Sequence, residues 1–134
     1  MTAGYSGTPL AQKLGIKTGS RLLLVGAPPG FVPEPLPDGV TVHRRRGAGH
    51  YEVVMLFCPD ARRLHDGFAT LVDAITTAGA LWVCWPKKAS GVVTDLNENG
   101  VRDHGLTCGL VDVKVAAIDA TWSGLKFVRR LADR

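Results

Sequence analysis

Hydrophobic residues are distributed unevenly along the chain, and three uninterrupted apolar runs dominate the pattern. Residues 21–26, 51–58 and 80–86 lack the alternation of polar and apolar positions that marks a half-exposed strand. Continuous runs of this kind are typical of strands buried on both faces of a sheet. Residues 40–43 read Val-Thr-Val-His and predict a short edge strand.

A helical period of 3.6 residues follows the second run. It predicts a helix from Pro59 to about Ala78, ended by Gly79. The apolar positions that carry the period are Leu64, Phe68, Leu71, Val72 and Ile75.

Capping signals predict two shorter helices. The first covers residues 9–14, where Gly15 suits the left-handed position after a helix. The second covers residues 95–104, with Thr94 as its N-cap and Gly105 as its stop.

The C-terminal part of the chain changes to alternation. Residues 110–118 alternate and residues 122–131 are again strand-like, with a short polar turn between them, which predicts an antiparallel hairpin. Strands that alternate with helices indicate a parallel sheet with helices on both faces. The predicted fold class is therefore α/β, with three layers and a mostly parallel six-stranded sheet closed by the hairpin.

Composition narrows the class of protein. The chain has 134 residues, enough for one domain over residues 1–134, and its 46% hydrophobic and 21% charged residues exclude a disordered or collagen-like chain. No apolar stretch reaches the roughly 18 residues of a membrane span, and the N-terminus lacks the pattern of a signal peptide. Three cysteines, an odd number without close pairing, argue against a disulfide framework. We therefore expect a cytoplasmic protein without a membrane partner.

The beginning and end of the chain resemble the class I methyltransferases. Residues 13–26 read Lys-Leu-Gly-Ile-Lys-Thr-Gly before an apolar strand, which is similar to the lead into the first strand of those enzymes. The C-terminal hairpin resembles their last two strands. The resemblance implies a truncated Rossmann-like sheet with the strand order 40–43, 21–26, 52–58, 80–86, 122–131 and 110–118.

The whole chain also resembles a family of short bacterial proteins defined by a domain of unknown function. Five phrases carry this resemblance, and they are spread from one end of the chain to the other. They are Tyr-Ser-Gly-Thr-Pro-Leu (5–10), Lys-Leu-Gly-Ile (13–16), Trp-Pro-Lys-Lys-Ala-Ser-Gly (85–91), Gly-Leu-Val-Asp-Val-Lys-Val (109–115) and Trp-Ser-Gly-Leu-Lys-Phe-Val (122–128). This resemblance implies no known activity.

The segment after the first strand departs from the methyltransferase pattern. Methyltransferases place a glycine-rich turn and a helix there, whose N–H groups face the cofactor. Here Pro28 and Pro29 carry no N–H, and Arg44, Arg45 and Arg46 replace the acidic residue expected after the second strand. We therefore expect no cofactor, and in particular no conventional binding of S-adenosylmethionine.

The loop over residues 86–94 is the best candidate site. It follows a buried strand, and open α/β sheets bind ligands at the carboxyl ends of their strands. Its amines, hydroxyls and free N–H groups predict a site for an anion. The predicted anion ligands are Lys87, Lys88, Ser90, Gly91 and Thr94.

Two further loops are expected at the same edge of the sheet, and with one aromatic residue they form a predicted pocket wall. Its members are Gly26, Phe31, Cys58, Asp60 and Trp85. Asp60 also suits a purely electrostatic role at a helix N-terminus, and Cys58 suits a buried core thiol or a nucleophile.

No metal site is expected. His43, His50, His65 and His104 show no metal-binding spacing. Residues 95–100 match the first half of a calcium loop, but Leu106 occupies the twelfth position, where calcium loops have glutamate.

These features favour a non-catalytic module that binds a small anionic ligand or a protein partner at the carboxyl edge of the sheet. One alternative is a divergent methyltransferase-like transferase. Another is a protein that binds nucleic acid through Arg44, Arg45 and Arg46, although the modest net charge of +4 argues against nucleic acid as a partner. The exposed edge of the hairpin is also suited to pairing with a second copy in a homodimer.

Overall fold

The computed structural model describes residues 7–134, which form a mixed six-stranded sheet with α-helices on both faces. Tyr5 and Ser6, from the first of the phrases above, lie outside the described residues. The elements are α1 (Leu10–Lys13), β1 (Arg21–Val25), β2 (Thr41–His43), β3 (Tyr51–Phe57), α2 (Ala61–Leu71), β4 (Ile75–Pro86), α3 (Glu98–Thr107), β5 (Leu110–Ala117) and β6 (Trp122–Arg129).

The strand order is β2-β1-β3-β4-β6-β5, which confirms the order predicted above. The β1–β2, β1–β3 and β3–β4 pairs are parallel, whereas β6 is antiparallel to both β4 and β5. The mostly parallel character is therefore confirmed only in part, and the sheet is better described as mixed. Because β1, β3 and β4 run in the same direction, the loops that follow them emerge at one edge.

Apolar side chains fill a core on each face of the sheet. On the first face, Leu64 and Phe68 of α2 and Val101 of α3 pack against the strands. On the opposite face, Leu14 follows α1 and packs beside Trp82 of β4, together with apolar residues of the loop between β1 and β2. We call these the α2/α3 face and the α1 face.

The second helix is shorter than its apolar period predicts. It ends at Leu71, a 3-10 turn covers Val72–Ala74, and β4 already begins at Ile75. The predicted stop at Gly79 is therefore wrong. Ile75 pairs with Tyr51 of β3 instead of continuing the helix, and the β-branched residues Thr76 and Thr77 that follow it suit a strand.

The third helix starts and ends later than predicted. Its N-cap is Asn97, whose side-chain oxygen accepts the Gly100 N–H at 2.8 Å, and it continues through Gly105 to Thr107. Thr94 instead shapes the preceding loop by accepting the Leu96 N–H at 3.1 Å. Of the residues that match the start of a calcium loop, 97–100 form the N-cap and first turn of α3, and Asp95 and Leu96 precede the helix.

A β-bulge interrupts the alternation predicted for the first strand of the hairpin. Asp112 lies opposite Phe127 and Lys114 opposite Lys126, so Val113 is the extra residue. Asp112 precedes the bulge on the same face as Leu110, and it accepts a 2.8 Å hydrogen bond from Nε of Arg102 in α3. The bulge turns Lys114 to the α1 face with Lys126. A bulge re-aims side chains in this way because it shifts the register by one residue.

No helix within residues 7–134 combines the length and the hydropathy that crossing a membrane requires.

Candidate functional site

The loops after β3 and β4 are joined at the carboxyl edge of the sheet. The hydroxyl of Thr94 donates a 2.8 Å hydrogen bond to the carbonyl of Pro59, and Asp95 accepts the N–H of Ala61 at 2.8 Å. These bonds fix the loop after β4 against the start of α2. They leave a gap between that loop and the start of α3.

This gap is a pocket of about 550 Å³, which we call the Lys87 pocket. Trp85 and Ser123, which are partners across β4 and β6, form one side of it. Lys87 is half-buried at its wall and Lys88 is exposed at its rim. The remaining lining residues are Pro86, Val92, Thr94, Leu96, Asn97 and Glu98.

Two of the predicted anion ligands shape the loop rather than line the pocket. The Ser90 hydroxyl donates to the Lys87 carbonyl at 2.7 Å and accepts the Val92 N–H at 3.2 Å. Gly91 follows the 3-10 turn Lys88–Ser90 with a φ of +76°, a left-handed value that glycine adopts without strain. The structure therefore places Lys87, Lys88 and Thr94 at the pocket, whereas Ser90 is the last residue of the turn and Gly91 follows it.

The start of α3 adds a favourable field for an anion. Asn97 and Glu98 line the pocket at the N-terminus of this ten-residue helix, where the helix dipole is positive. The Glu98 carboxylate accepts a 2.7 Å hydrogen bond from Arg102, which offsets its negative charge. Sequence reasoning missed both residues because it placed the start of this helix at Asp95.

The predicted pocket wall is divided between different environments. Trp85 alone among its five members lines the Lys87 pocket. Asp60 caps α2 by accepting the Arg63 N–H at 2.9 Å, and it borders a separate cavity of about 320 Å³ beside Arg62. Cys58 is fully buried, and burial raises the pKa of its thiol to about 12, so it is present as a thiol at neutral pH.

Gly26 and Phe31 belong to the α1 face. Gly26 leaves β1 with a φ of +71°, and a side chain there would press against the Phe57 carbonyl at 3.2 Å. The Phe31 ring packs edge-on against Phe57 with 5.0 Å between ring centroids. The loop after β1 therefore folds back onto the sheet.

The three consecutive arginines have different surroundings. Arg44 donates a hydrogen bond to the Phe31 carbonyl, and Arg46 donates to the Thr70 carbonyl at 2.8 Å and pairs with Asp73 at 3.1 Å. Two of the three thus hold loops of the chain together. Binding of nucleic acid through this cluster stays a prediction. All three arginines are exposed, and Arg45 is the one whose side chain makes no hydrogen bond or ion pair within residues 7–134.

Arginine and lysine have separate roles in this protein. The four ion pairs within residues 7–134 all use arginine, namely Arg46, Arg62 and Arg102, the last of them twice. The six lysines and all twelve acidic residues also lie in this range, and no lysine is within 4.0 Å of a carboxylate oxygen. Lysines that form no ion pair within the protein are available to bind an external anion.

His65 and His104 stack with 4.4 Å between their ring centroids, and the Cys108 sulfur lies 3.5 Å from Nε2 of His104. Within residues 7–134, no three His, Cys, Asp or Glu side chains are grouped to hold a metal ion. Burial and the neighbouring His65 lower the pKa of His104, so the folded protein disfavours the protonated ring.

This stack makes stability sensitive to mild acid. A histidine with a lowered pKa in the folded state stabilises the fold fully above its unfolded pKa of about 6.5, and this contribution is lost as the pH falls below that value. We expect the urea midpoint to fall between pH 7.5 and pH 5.5 and to fall less in His104→Gln. His50→Gln, which removes an exposed imidazole, is the matched control, and an equal fall in His104→Gln and wild type would contradict the assignment.

The strand order and the closing antiparallel hairpin define the fold of the class I methyltransferases, and solved structures confirm it. A 1,6-didemethyltoxoflavin-N1-methyltransferase from Burkholderia thailandensis, solved with 1,6-didemethyltoxoflavin and S-adenosylhomocysteine, aligns at a TM-score of 0.55 and 12% identity. The alignment covers 90% of this chain and 74% of that enzyme.

Two further structures agree. A putative methyltransferase from Thermoplasma acidophilum aligns at a TM-score of 0.56 and 10% identity, over 92% of this chain and 75% of its own. Magnesium protoporphyrin IX methyltransferase from Synechocystis PCC 6803, with bound S-adenosylmethionine, aligns at a TM-score of 0.57 and 10% identity. This alignment covers 90% of the present chain and 74% of that enzyme. Identities this low show the fold alone.

Comparison by sequence finds no matching family and no matching curated protein. The resemblance to the family of short bacterial proteins is therefore not confirmed.

The residues after β1 and β2 do not fit S-adenosylmethionine in the mode that this fold implies. That mode needs N–H groups at the start of a helix after the first strand. In this chain the next helix of more than one turn after β1 is α2, and Pro28 and Pro29 contribute no N–H. The Phe31 ring packs over the loop that follows β1. Arg44, which donates a hydrogen bond to the Phe31 carbonyl, stands after β2 at the position where an acidic residue would bind the ribose hydroxyls.

Proposed function

We propose that this methyltransferase-like chain is a binding module that takes a small anionic ligand in the Lys87 pocket. The observation that carries the proposal is a pocket with two lysines that have no carboxylate partner, at the start of a ten-residue helix. It lies at the carboxyl ends of the strands, where open α/β sheets bind ligands.

The pocket also suits an apolar part of the ligand. Trp85, Val92 and Leu96 contribute aromatic and aliphatic surface next to the amines. Ligand pockets commonly combine such surface with a few polar groups that fix orientation. An aryl or alkyl phosphate or carboxylate therefore matches the lining better than a bare inorganic anion.

Lys87→Ala is expected to weaken the binding of phenyl phosphate about tenfold or more, because a charge-assisted hydrogen bond from a half-buried amine is lost. The measurement is isothermal titration calorimetry with phenyl phosphate and with inorganic phosphate, and the wild type should bind phenyl phosphate more tightly. Arg45→Ala, which removes one exposed positive charge elsewhere, is the control. Equal affinities in Lys87→Ala and wild type, or no binding by the wild type, would show that the pocket does not take such anions.

The comparisons favour a second candidate function, a divergent transferase. Two of the solved neighbours above contain S-adenosylhomocysteine or S-adenosylmethionine. Titration with S-adenosylmethionine in the same calorimeter separates the candidates. Saturable binding would support a transferase with an unusual mode of cofactor recognition, whereas binding of phenyl phosphate alone would support the binding module.

The homodimer through the hairpin stays a prediction. The outer edge of β5 is free within the described residues, and its exposed side chains Val113 and Val115 are apolar. The bulge at Val113 divides this edge into two regular parts, residues 110–112 and 114–117. Pairing with a second copy would therefore involve only a short segment.

A further inference from the structure

Two lysines face each other on the α1 face of the hairpin. Lys114 of β5 and Lys126 of β6 are direct partners in the register, and the bulge at Val113 turns Lys114 to this face. Like charges directly opposite each other on adjacent strands destabilise a sheet. The pair therefore costs stability in the absence of a counterion.

Protection of a sheet edge does not account for the pair. Lysine on an edge strand commonly prevents unwanted pairing, and this role would suit Lys114. Lys126, however, belongs to β6, which is covered by β4 on one side and β5 on the other. Its side chain is only partly exposed and extends towards α1, where its amine lies 3.9 Å from the position of a Cβ on Gly15.

The surroundings of this pair are basic and contain no acid. The amine of Lys114 donates a 3.3 Å hydrogen bond to the Lys13 carbonyl, beside a shallow depression of about 450 Å³ that Thr8 and Gln12 also line. Burial lowers the pKa of Lys126, and the positive charges of Lys114 and Lys17 lower it further. No carboxylate pairs with these amines, and residues 1–6 include no Asp or Glu that could reach them.

We propose that Lys114 and Lys126 form a second anion site, which takes a multiply charged phosphate group of a small molecule. A cluster of converging ammonium groups favours a ligand with more than one negative charge, since a monoanion leaves most of the repulsion uncompensated. The site lies on the face opposite the Lys87 pocket, because Trp85 packs on the α2/α3 face and Lys126 on the α1 face. It is therefore independent of the proposed function.

The test uses pyrophosphate and the variant Lys126→Met, which keeps the aliphatic stem and removes the charge. In low salt without ligand, Lys126→Met should melt at a higher temperature than the wild type because the repulsion is relieved. Pyrophosphate should raise the melting temperature of the wild type in a saturable manner. The apparent affinity should be at least tenfold weaker in Lys126→Met.

Arg45→Ala is the matched control, because it removes an exposed positive charge that belongs to neither site. It should keep the full response to pyrophosphate, and Lys126→Met should keep the response to phenyl phosphate, so the two sites can fail separately. The proposal is wrong if Lys126→Met responds to pyrophosphate as the wild type does, or if the wild type does not respond.

A second measurement covers the case in which Lys126→Met does not fold. Reductive ¹³C-methylation of the wild type gives one NMR signal for each lysine and retains the charges. Titration with pyrophosphate should shift the Lys114 and Lys126 signals first and raise the pKa of Lys126. The assignment is wrong if the Lys114 and Lys126 signals stay in place while the signals of other lysines shift.

Discussion

Gly105→Ala is expected to destabilise the protein by about 1–3 kcal/mol, the usual cost of overpacking a core. The same change inside a helix normally stabilises by roughly 1 kcal/mol, so the sign of the effect is diagnostic. A Cβ on Gly105 would lie 2.0 Å from Cε1 of Phe127, whose ring is fully buried and packs edge-on against Phe68 at 5.2 Å. The ring cannot move aside without disturbing the packing between α3 and β6.

Gly100→Ala in the same helix is the control. The atom nearest to its Cβ would be the side-chain oxygen of Asn97 at 3.4 Å, and the position is exposed. Urea unfolding should therefore show that Gly100→Ala is neutral or stabilising and that Gly105→Ala has a lower midpoint. Equal midpoints for the two variants would mean that α3 does not approach β6 this closely.

Trp82→Ala should have a larger effect, about 3–5 kcal/mol, because it removes a fully buried indole from the α1 face. Trp82 is 0% exposed, and its Nε1 donates a 3.1 Å hydrogen bond to the Leu14 carbonyl at the end of α1. This bond is a direct link between the short helix and the centre of the sheet. Without it α1, which has only four residues, loses a main attachment.

Trp82→Phe separates the hydrogen bond from the packing. It keeps most of the apolar contact but leaves the Leu14 carbonyl without its donor, which costs about 1–3 kcal/mol. Calorimetric melting should rank the proteins as wild type, then Trp82→Phe, then Trp82→Ala. If Trp82→Phe matches the wild type, the bond to Leu14 contributes nothing to the stability of the fold.

The strands of this protein are largely predictable from its sequence, whereas the helix ends are not. Continuous apolar runs locate β1, β3 and the second half of β4, because strands buried on both faces leave no room for polar residues. The apolar period of α2 includes Ile75, although this residue belongs to β4. An apolar residue fits a helix or a strand, and the pairing of Ile75 with Tyr51 of β3 makes it part of the strand. Gly105 predicts a helix end by local rules, yet it lies inside α3 to accommodate Phe127.

The candidate sites were predictable to different extents. Position after a buried strand was sufficient to place Lys87 and Lys88 at the carboxyl edge of the sheet, because topology alone brings that loop there. The pairing of Lys114 with Lys126 depends on the bulge at Val113, since strict alternation would have placed Lys114 on the other face. A bulge has no strong sequence signal here, so this cluster could be found only from the register of the hairpin.

The division between arginine and lysine has a practical consequence for chemical labelling. Because the ion pairs among residues 7–134 use arginine, reagents that modify primary amines leave those pairs intact. Acylation would then fall on the six lysines. Lys87 and Lys88 line the Lys87 pocket, and the other four are Lys114 and Lys126 of the second site together with Lys13 and Lys17. Protection of individual amines in a cell extract, read by peptide mass spectrometry, would therefore report which of the two sites is occupied by natural ligands.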